Sequence, residues 1–398
     1  MTARRYDMDW LRIGAFALLI LYHIGMVFVP WGFHIKTAEP LRWVEAPMLL
    51  LNAWRLSLLF LISGIASRMM LARRPGFAAE RSRRLLVPLL FGMAFIVPPQ
   101  SWAEVVTQGA YSKGFLVFWS SDYWTFGNFV TPNAEDLILP TWNHLWFIAY
   151  LWVYSMLLAL LLAAARRSAV DWQAGFDRLF GGWRLLVLPI LWVFAAKILL
   201  MARWPESHAL AGDWYAHALY GFAFAFGVGL GGSTRLWAGF DRFAVPSGIV
   251  ALIAWAITAT VVLNMPENTD WPAWLQTAIR GTRAVQGWLA IVALVGLARR
   301  WLNFDHPWRA PLNAAVFPAY IVHQTIIVMV MFWLLPLQLP ALAEFAILVA
   351  VTTLGCALAY LLARRSAWLG PLLGVPGRTG ARAPSCASSQ ALRSTPPA

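Results

Sequence analysis

Arg12 and His23 lie eleven residues apart in the first long apolar stretch of the chain. At about 100° per residue this spacing closes about three turns, so the two side chains share one helix face, roughly 16 Å apart along its axis. A neutral imidazole keeps a lone pair that can take a proton from a hydroxyl. A guanidinium can hold phosphate or carboxylate oxygens. The blander readings are a packing histidine bonded to a neighbouring helix and an interfacial arginine paired with Asp9, three residues before it.

Further ionisable groups fall in apolar surroundings. Arg55, in Trp54-Arg55-Leu56-Ser57, sits more than a turn from either membrane edge, where its charge needs water, a partner or a ligand; it is expected to line a cavity. Arg81, Arg83 and Arg84 precede Leu85-Leu86-Val87-Pro88, so a dense positive cluster stands where a helix leaves the cytosol. Guanidinium forks suit phosphate, and Arg81 and Arg84 are expected to hold the nucleotide end of an anionic cytosolic donor; attraction to anionic lipid is the competing reading. His144, in Asn143-His144-Leu145-Trp146-Phe147, and His323, in Tyr320-Ile321-Val322-His323, are candidates to orient a substrate hydroxyl or His23. Gly227-Val228-Gly229-Leu230-Gly231-Gly232 lacks a preceding strand and reads as helix packing, not as a phosphate loop. No HExxH, CxxC or acidic ligand cluster is present, so no metal site is expected.

The elements that must position these groups are membrane helices. The chain has 398 residues, 60% hydrophobic and 12% charged, with a mean hydropathy of +0.62. About ten spans are read, near 11–31, 47–67, 85–98, 142–165, 184–201, 214–232, 245–264, 284–298, 313–334 and 342–362. The fold class is all-α, a polytopic transmembrane bundle. Basic residues concentrate in alternate connections, among them Arg4 and Arg5, then Arg68 to Arg84, Arg166 to Arg184, Arg235 and Arg242, Arg299 to Arg309, and Arg364 and Arg365. By the positive-inside rule both termini are cytoplasmic, and the net charge of +13 is a topology signal and not a nucleic-acid footprint. Cys356 and Cys386 give no disulfide framework. Residues 1–370 read as one transmembrane domain and 371–398, rich in Ala, Ser, Pro and Arg, as a disordered cytoplasmic tail. The largest outside loop, about 99–141, carries rings from Trp102 to Phe129 that can stack on a sugar or anchor in the headgroup layer.

Asp9-Trp10-Leu11-Arg12, the Arg12 and His23 pair, Phe60-Leu61-Ile62-Ser63-Gly64, Arg81-x-x-Arg84-x-x-x-Pro88, Asn143-His144-Leu145-Trp146-Phe147 and Tyr320-Ile321-Val322-His323 together resemble the acyltransferase 3 family of integral-membrane O-acyltransferases over nearly the full length. His34-Ile35-Lys36-Thr37-Ala38-Glu39-Pro40, Arg55 ahead of Ser63-Gly64, and Leu302-Asn303-Phe304 look like the subgroup that succinylates osmoregulated periplasmic glucans. The resemblance implies transfer of an acetyl or succinyl group from cytosolic acyl-CoA, as donor substrate and not as a permanently bound cofactor, to a hydroxyl of an extracytoplasmic glycan. It implies His23 as the essential residue. The mechanism expected on that basis has Arg12 and Arg55 acting with His23, Arg55 on the oxyanion of the thioester carbonyl, and substrate contacts from Arg81, Arg84, His34, Glu39, His144 and His323. A bacterial inner membrane is the implied location. The alternative is a transporter or flippase for a glycan or lipid-linked precursor, against which stands the near absence of Asp and Glu from the spans.

Overall fold

The computed structural model describes residues 5–71, 76–129, 137–165, 171–266 and 269–375. Arg4, Arg73, Arg74, Arg166, Arg167 and the tail beyond 375 lie outside the described residues. The α-helices among the described residues are α1 (Tyr6–Met26), α2 (Glu45–Asn52), α3 (Arg55–Leu71), α4 (Phe77–Phe91), α5 (Pro98–Thr107), α6 (Phe115–Ser120), α7 (Trp146–Ala165), α8 (Trp172–Leu179) and α9 (Arg184–Leu199), followed by α10 (Trp214–Ala216), α11 (Phe222–Gly232), α12 (Leu236–Asn264), α13 (Ala273–Trp301), α14 (Arg309–Leu334), α15 (Ala341–Arg365) and α16 (Leu369–Leu372). Sheet is confined to a two-stranded antiparallel hairpin, β1 (Gly127–Phe129) and β2 (Leu137–Leu139), among the described residues.

Eight of these helical stretches are long and apolar enough to cross a membrane, and α8 with α9 makes a ninth as a pair bent by 89°. The protein is a polytopic helical membrane bundle. The segment expected at 214–232 is helical, running from α10 through a π turn (His217–Gly221) into α11, but its glycines and His217 dilute its hydropathy and it is not among the nine. The expected span at 85–98 is the middle of a longer rod, Phe77–Thr107, in which Pro88 removes a backbone donor and a π turn (Gly92–Ile96) follows. Helix α8 is short and capped by Asp171, whose side chain accepts from the Ala174 amide at 3.0 Å. Its exposed Trp172 and the nearby Trp183 suit a helix lying in the interface before α9 turns into the bilayer.

The second span is broken. Helix α2 stops at Asn52 and α3 starts at Arg55, and the carbonyls near the break are met by side chains: Gln286 Nε2 donates to Leu49 O at 2.9 Å and Trp54 Nε1 to Leu50 O at 2.7 Å. The break delivers Arg55 into the bundle interior at the first turn of α3.

Helix α3 packs closely against α11 and also touches α1 and α7. Phe60, fully buried, meets Phe147 at 4.4 Å between ring centroids and stacks on Tyr220 at 5.1 Å. One turn further along the same face α3 touches α11 backbone to backbone. A Cβ on Gly64 would stand 2.1 Å from Phe224 O, and one on Gly227 would stand 2.1 Å from Leu61 O. Gly227 and Gly231 of the glycine run therefore pack against α3 around Gly64, while Gly229 and Gly232 leave room for Phe176 and Gln173 of α8. In the large outside loop Phe118, Tyr123, Val105 and Leu139 form a small core of their own, while Trp124 and Phe126 remain exposed.

Gly64→Ala and Gly227→Ala are each expected to destabilise the bundle by about 1–3 kcal/mol or more, because the obstructing atoms are backbone and cannot swing away. The midpoint of thermal unfolding in detergent measures it; unchanged midpoints for both would show that α3 and α11 separate at no cost.

Candidate active site

A cavity of about 260 Å3 opens among α1, the α2–α3 break, α7, α9, α13 and α14, and is lined by His23, Asn52, Arg55, His144, Lys197, Glu206, His208, Tyr220, Arg283 and Tyr320. Each polar wall has an identifiable cause. His23 comes from the last turn of α1, Arg55 from the break, His144 from the 3-10 turn (Asn143–Leu145) ahead of α7, and Lys197 from the end of α9.

Three imidazoles cluster at one end. His323 Nε2 lies 3.2 Å from His23 Nδ1, which also lies 3.0 Å from Leu19 O. His323 Nδ1 is 2.7 Å from Tyr320 O. The rings of His23 and His323 are 4.9 Å apart between centroids, and His144 stands edge-on to His323 at 5.0 Å. His144 Nε2 is 3.0 Å from Ile321 O, Tyr320 donates its hydroxyl to the His144 carbonyl, and His144 Nδ1 is buried without a hydrogen-bond partner.

Arg55 forms the next wall. Its guanidinium carbon stands 3.4 Å above the Tyr22 ring, while Nε and Nη1 are buried and unbonded. Leaving such donors unpaired costs about 1–3 kcal/mol even for neutral groups and more for a cation, so the arrangement is suited to an acceptor atom arriving from a ligand. Asn52 braces the wall, donating to Tyr22 Oη at 2.8 Å and accepting from Arg283. Lys197 Nζ donates to Tyr215 Oη at 2.9 Å.

The connection between α9 and α10 folds over this cavity. His208 stacks on Trp146 at 4.0 Å and bonds Glu206 at 2.9 Å, and Tyr220 donates to Glu206 at 2.5 Å. His208 and Leu210 hold left-handed φ angles of 57° and 60°, uncommon for side-chain-bearing residues. Asp213 fixes the turn, accepting from the His208 amide at 2.9 Å and from Tyr150 at 2.7 Å. Desolvation in the cavity works to raise the Glu206 carboxyl, but the bonds from His208 and Tyr220 and the charge of Arg55 outweigh it and hold the group below its ordinary value. It is ionised at neutral pH.

The expected residues are brought together in part. His23, Arg55 and His144 line the one cavity, and His323 backs His23 from behind it. Arg12 lies at the other end of the α1 face, where its Nε donates to Asn313 at 2.9 Å. Arg81 reaches inward to Ser155 at 3.2 Å and Ser67 at 3.4 Å, close enough to Arg12 for their charges to interact. Arg84 is 44% exposed and lies 3.9 Å from Glu80. His34 belongs to a separate outer network, with Nδ1 2.6 Å from Glu104 and Nε2 2.9 Å from Gln324, and Glu39 is exposed and off the cavity. Lys197, Glu206, His208 and Arg283 are wall residues that sequence reading passed over. Arg283 reads as a loop residue when the span is started at 284, whereas α13 begins at Ala273; Lys197, a lone cation in an apolar run, carried the same signal as Arg55. Among the described residues no group of three or more His, Cys, Asp or Glu is placed to hold a metal ion.

Because the Glu206 carboxyl is held down in the folded protein, its anchoring of the loop is present above the ordinary carboxylate range and is lost as pH falls through the lowered value. Hydrogen exchange of residues 206–213, corrected for intrinsic pH dependence, should accelerate on acidification, and Glu206→Gln should show the faster exchange already at neutral pH. Equal protection in the variant and the parent at neutral pH would remove Glu206 as the anchor.

Residues 5–363 match the acyltransferase 3 family, described as an acyltransferase domain. The chain is 27% identical over 156 residues to the glucans biosynthesis protein C of Escherichia coli strain SMS-3-5 and to that of strain O1:K1, a match covering 39% of this chain and 38% of each relative. The matched segment thus spans well under half the length of these curated relatives. No solved structure matches the chain. With the family match running over almost every described helix, the chain belongs to the acyltransferase 3 family of integral-membrane acyltransferases.

Proposed function

We propose that the protein transfers an acetyl or succinyl group from cytosolic acyl-CoA to a hydroxyl of an extracytoplasmic glycan, with His23 as general base or as acyl carrier. The observation that carries this reading is the meeting, in one cavity inside the bundle, of the His23 Nε2 nitrogen, which has no protein partner among the described residues, and the Arg55 guanidinium, whose Nε and Nη1 are unbonded. The first can take the proton of an acceptor hydroxyl. The second can meet the oxyanion that develops as the hydroxyl oxygen adds to the thioester carbonyl. When the C–S bond breaks, the proton held by His23 passes to the departing sulfur and the imidazole is restored. In the acyl-carrier form the same nitrogen attacks the thioester carbonyl, the C–S bond breaks and the sulfur departs as thiolate; the hydroxyl oxygen then attacks the acyl-imidazole carbon, the C–N bond breaks to restore the imidazole, and the hydroxyl proton passes to the thiolate.

Arg12 and Arg81, with interacting charges at the opposite end of the α1 face, support a donor whose phosphates remain near the cytosolic side while the thioester reaches His23, roughly 16 Å along the helix. The acyl end meets a cationic wall. Arg55, Lys197 and Arg283 line the cavity against one carboxylate, Glu206. Such a balance favours an acyl chain ending in its own carboxylate, as in succinyl, over acetyl.

Membranes incubated with radiolabelled acyl-CoA and candidate glycans test the reading. His23→Ala should lower transfer by about 100-fold or more, and equal transfer by both proteins would remove His23 from the chemistry. Arg283→Ala and Lys197→Ala should each lower kcat/KM for succinyl-CoA by about tenfold, the loss of one charge-assisted contact, and leave acetyl-CoA within about twofold. Parallel losses for both donors would show that these cations do not read the acyl terminus.

A further inference from the structure

The hydrogen bonds around the imidazole pair determine which nitrogen carries which proton. His323 Nδ1 faces a carbonyl, Tyr320 O at 2.7 Å, and a carbonyl only accepts, so this nitrogen bears the hydrogen. In the neutral ring His323 Nε2 is then a lone pair. That lone pair stands 3.2 Å from His23 Nδ1, and the other neighbour of His23 Nδ1, Leu19 O at 3.0 Å, is also an acceptor. Two acceptors on one nitrogen require His23 Nδ1 to be the donor. His23 Nε2 is thereby left as a lone pair, and it is the ring nitrogen with no protein partner among the described residues.

The rest of the cluster holds this arrangement rigid. His323 is fully buried in α14. His144 packs edge-on against it and has its own Nε2 committed to Ile321 O, and Tyr320 ties α14 to the His144 backbone. His323 cannot rotate its lone pair away without breaking its bond to Tyr320 O.

We propose that His323 is a positioning residue that fixes His23 in the Nδ1–H tautomer, so that Nε2 is the atom presented to the reacting hydroxyl or thioester. This rests on the acyl-transfer reading above, and it holds equally for a general base and for an acyl carrier, since both need the Nε2 lone pair. His323 touches no substrate in this scheme; its lone pair also supports the positive charge that forms on the His23 ring when Nε2 takes a proton.

Two readouts test it. The first is kinetic, in the full-length protein in membranes. His323→Leu removes the acceptor and should lower kcat by about 100-fold with KM for acyl-CoA within about twofold. His323→Gln, whose amide oxygen can stand near the former Nε2, should recover most of the loss. The second is spectroscopic: with nitrogen-15 histidine in the purified protein, the His23 signals, identified by their absence in His23→Ala, should report an unprotonated Nε2 and a protonated Nδ1 in the parent and in His323→Gln, and a mixture of tautomers in His323→Leu. A His323→Leu protein with parental kcat, or a parent in which His23 Nε2 carries the hydrogen, overturns the proposal. If both variants fail to fold, the tautomer of the parent still decides it. If the parent transfers no acyl group from any donor, the functional reading fails while the nitrogen-15 result continues to judge the tautomer.

Discussion

The structure depends on one constraint: ionisable side chains are held inside a bundle surrounded by hydrocarbon, where every unpaired donor or acceptor carries a cost that water would otherwise cancel. Most such groups here are paid off locally. Arg12 finds Asn313, Arg81 finds two serine hydroxyls, and Lys197 finds Tyr215. Arg55 is different, since a tyrosine face supports its charge but leaves two of its nitrogens without acceptors. That cation, with donors that find no acceptor among the described residues, shares its cavity with the His23 imidazole, and the two are held in place by the elements around them.

That architecture relies on interruptions. The break between α2 and α3 turns Arg55 inward, the π turn before α11 sets Tyr220 against Phe60, and the left-handed residues of the α9–α10 connection carry His208 onto Trp146. Regular helices alone would run these side chains past one another. Two of these irregularities are stabilised by polar side chains: Gln286 of α13 bonds the break, and Asp213, held by Tyr150 of α7, ties down the connection. The site is therefore assembled from irregular backbone where it lines a cavity, which is where a membrane protein can tolerate it.

Much of this was legible in the sequence, because hydropathy and helical periodicity are local properties. The Arg12 and His23 spacing, the mid-span Arg55 and the helix-packing role of Gly227 to Gly232 all follow from arithmetic on a single helix. What escaped were relations between helices. Nothing local distinguishes His144, which lines the cavity, from His34, which sits in a network with Glu104 and Gln324. Arg283 was hidden because hydropathy marks where a helix becomes apolar and not where it begins. The aromatics of the large loop were visible as a group, but which of them turn inward to make a private core depends on how the loop folds back to bring Val105 and Leu139 onto Phe118 and Tyr123.

The backbone contact between α3 and α11 has a consequence for how this cavity can change. An interface made through side chains can be loosened or tightened by altering their size, but Gly64 and Gly227 leave only main-chain atoms facing each other. The wall bearing Arg55 and Tyr220 is accordingly a fixed jaw. Helix α13 is held in the same way, since a Cβ on Gly287 would stand 2.6 Å from Ala53 O, so the shape of this chamber is set by main-chain contacts on two of its sides and is open to change chiefly through the side chains that line it.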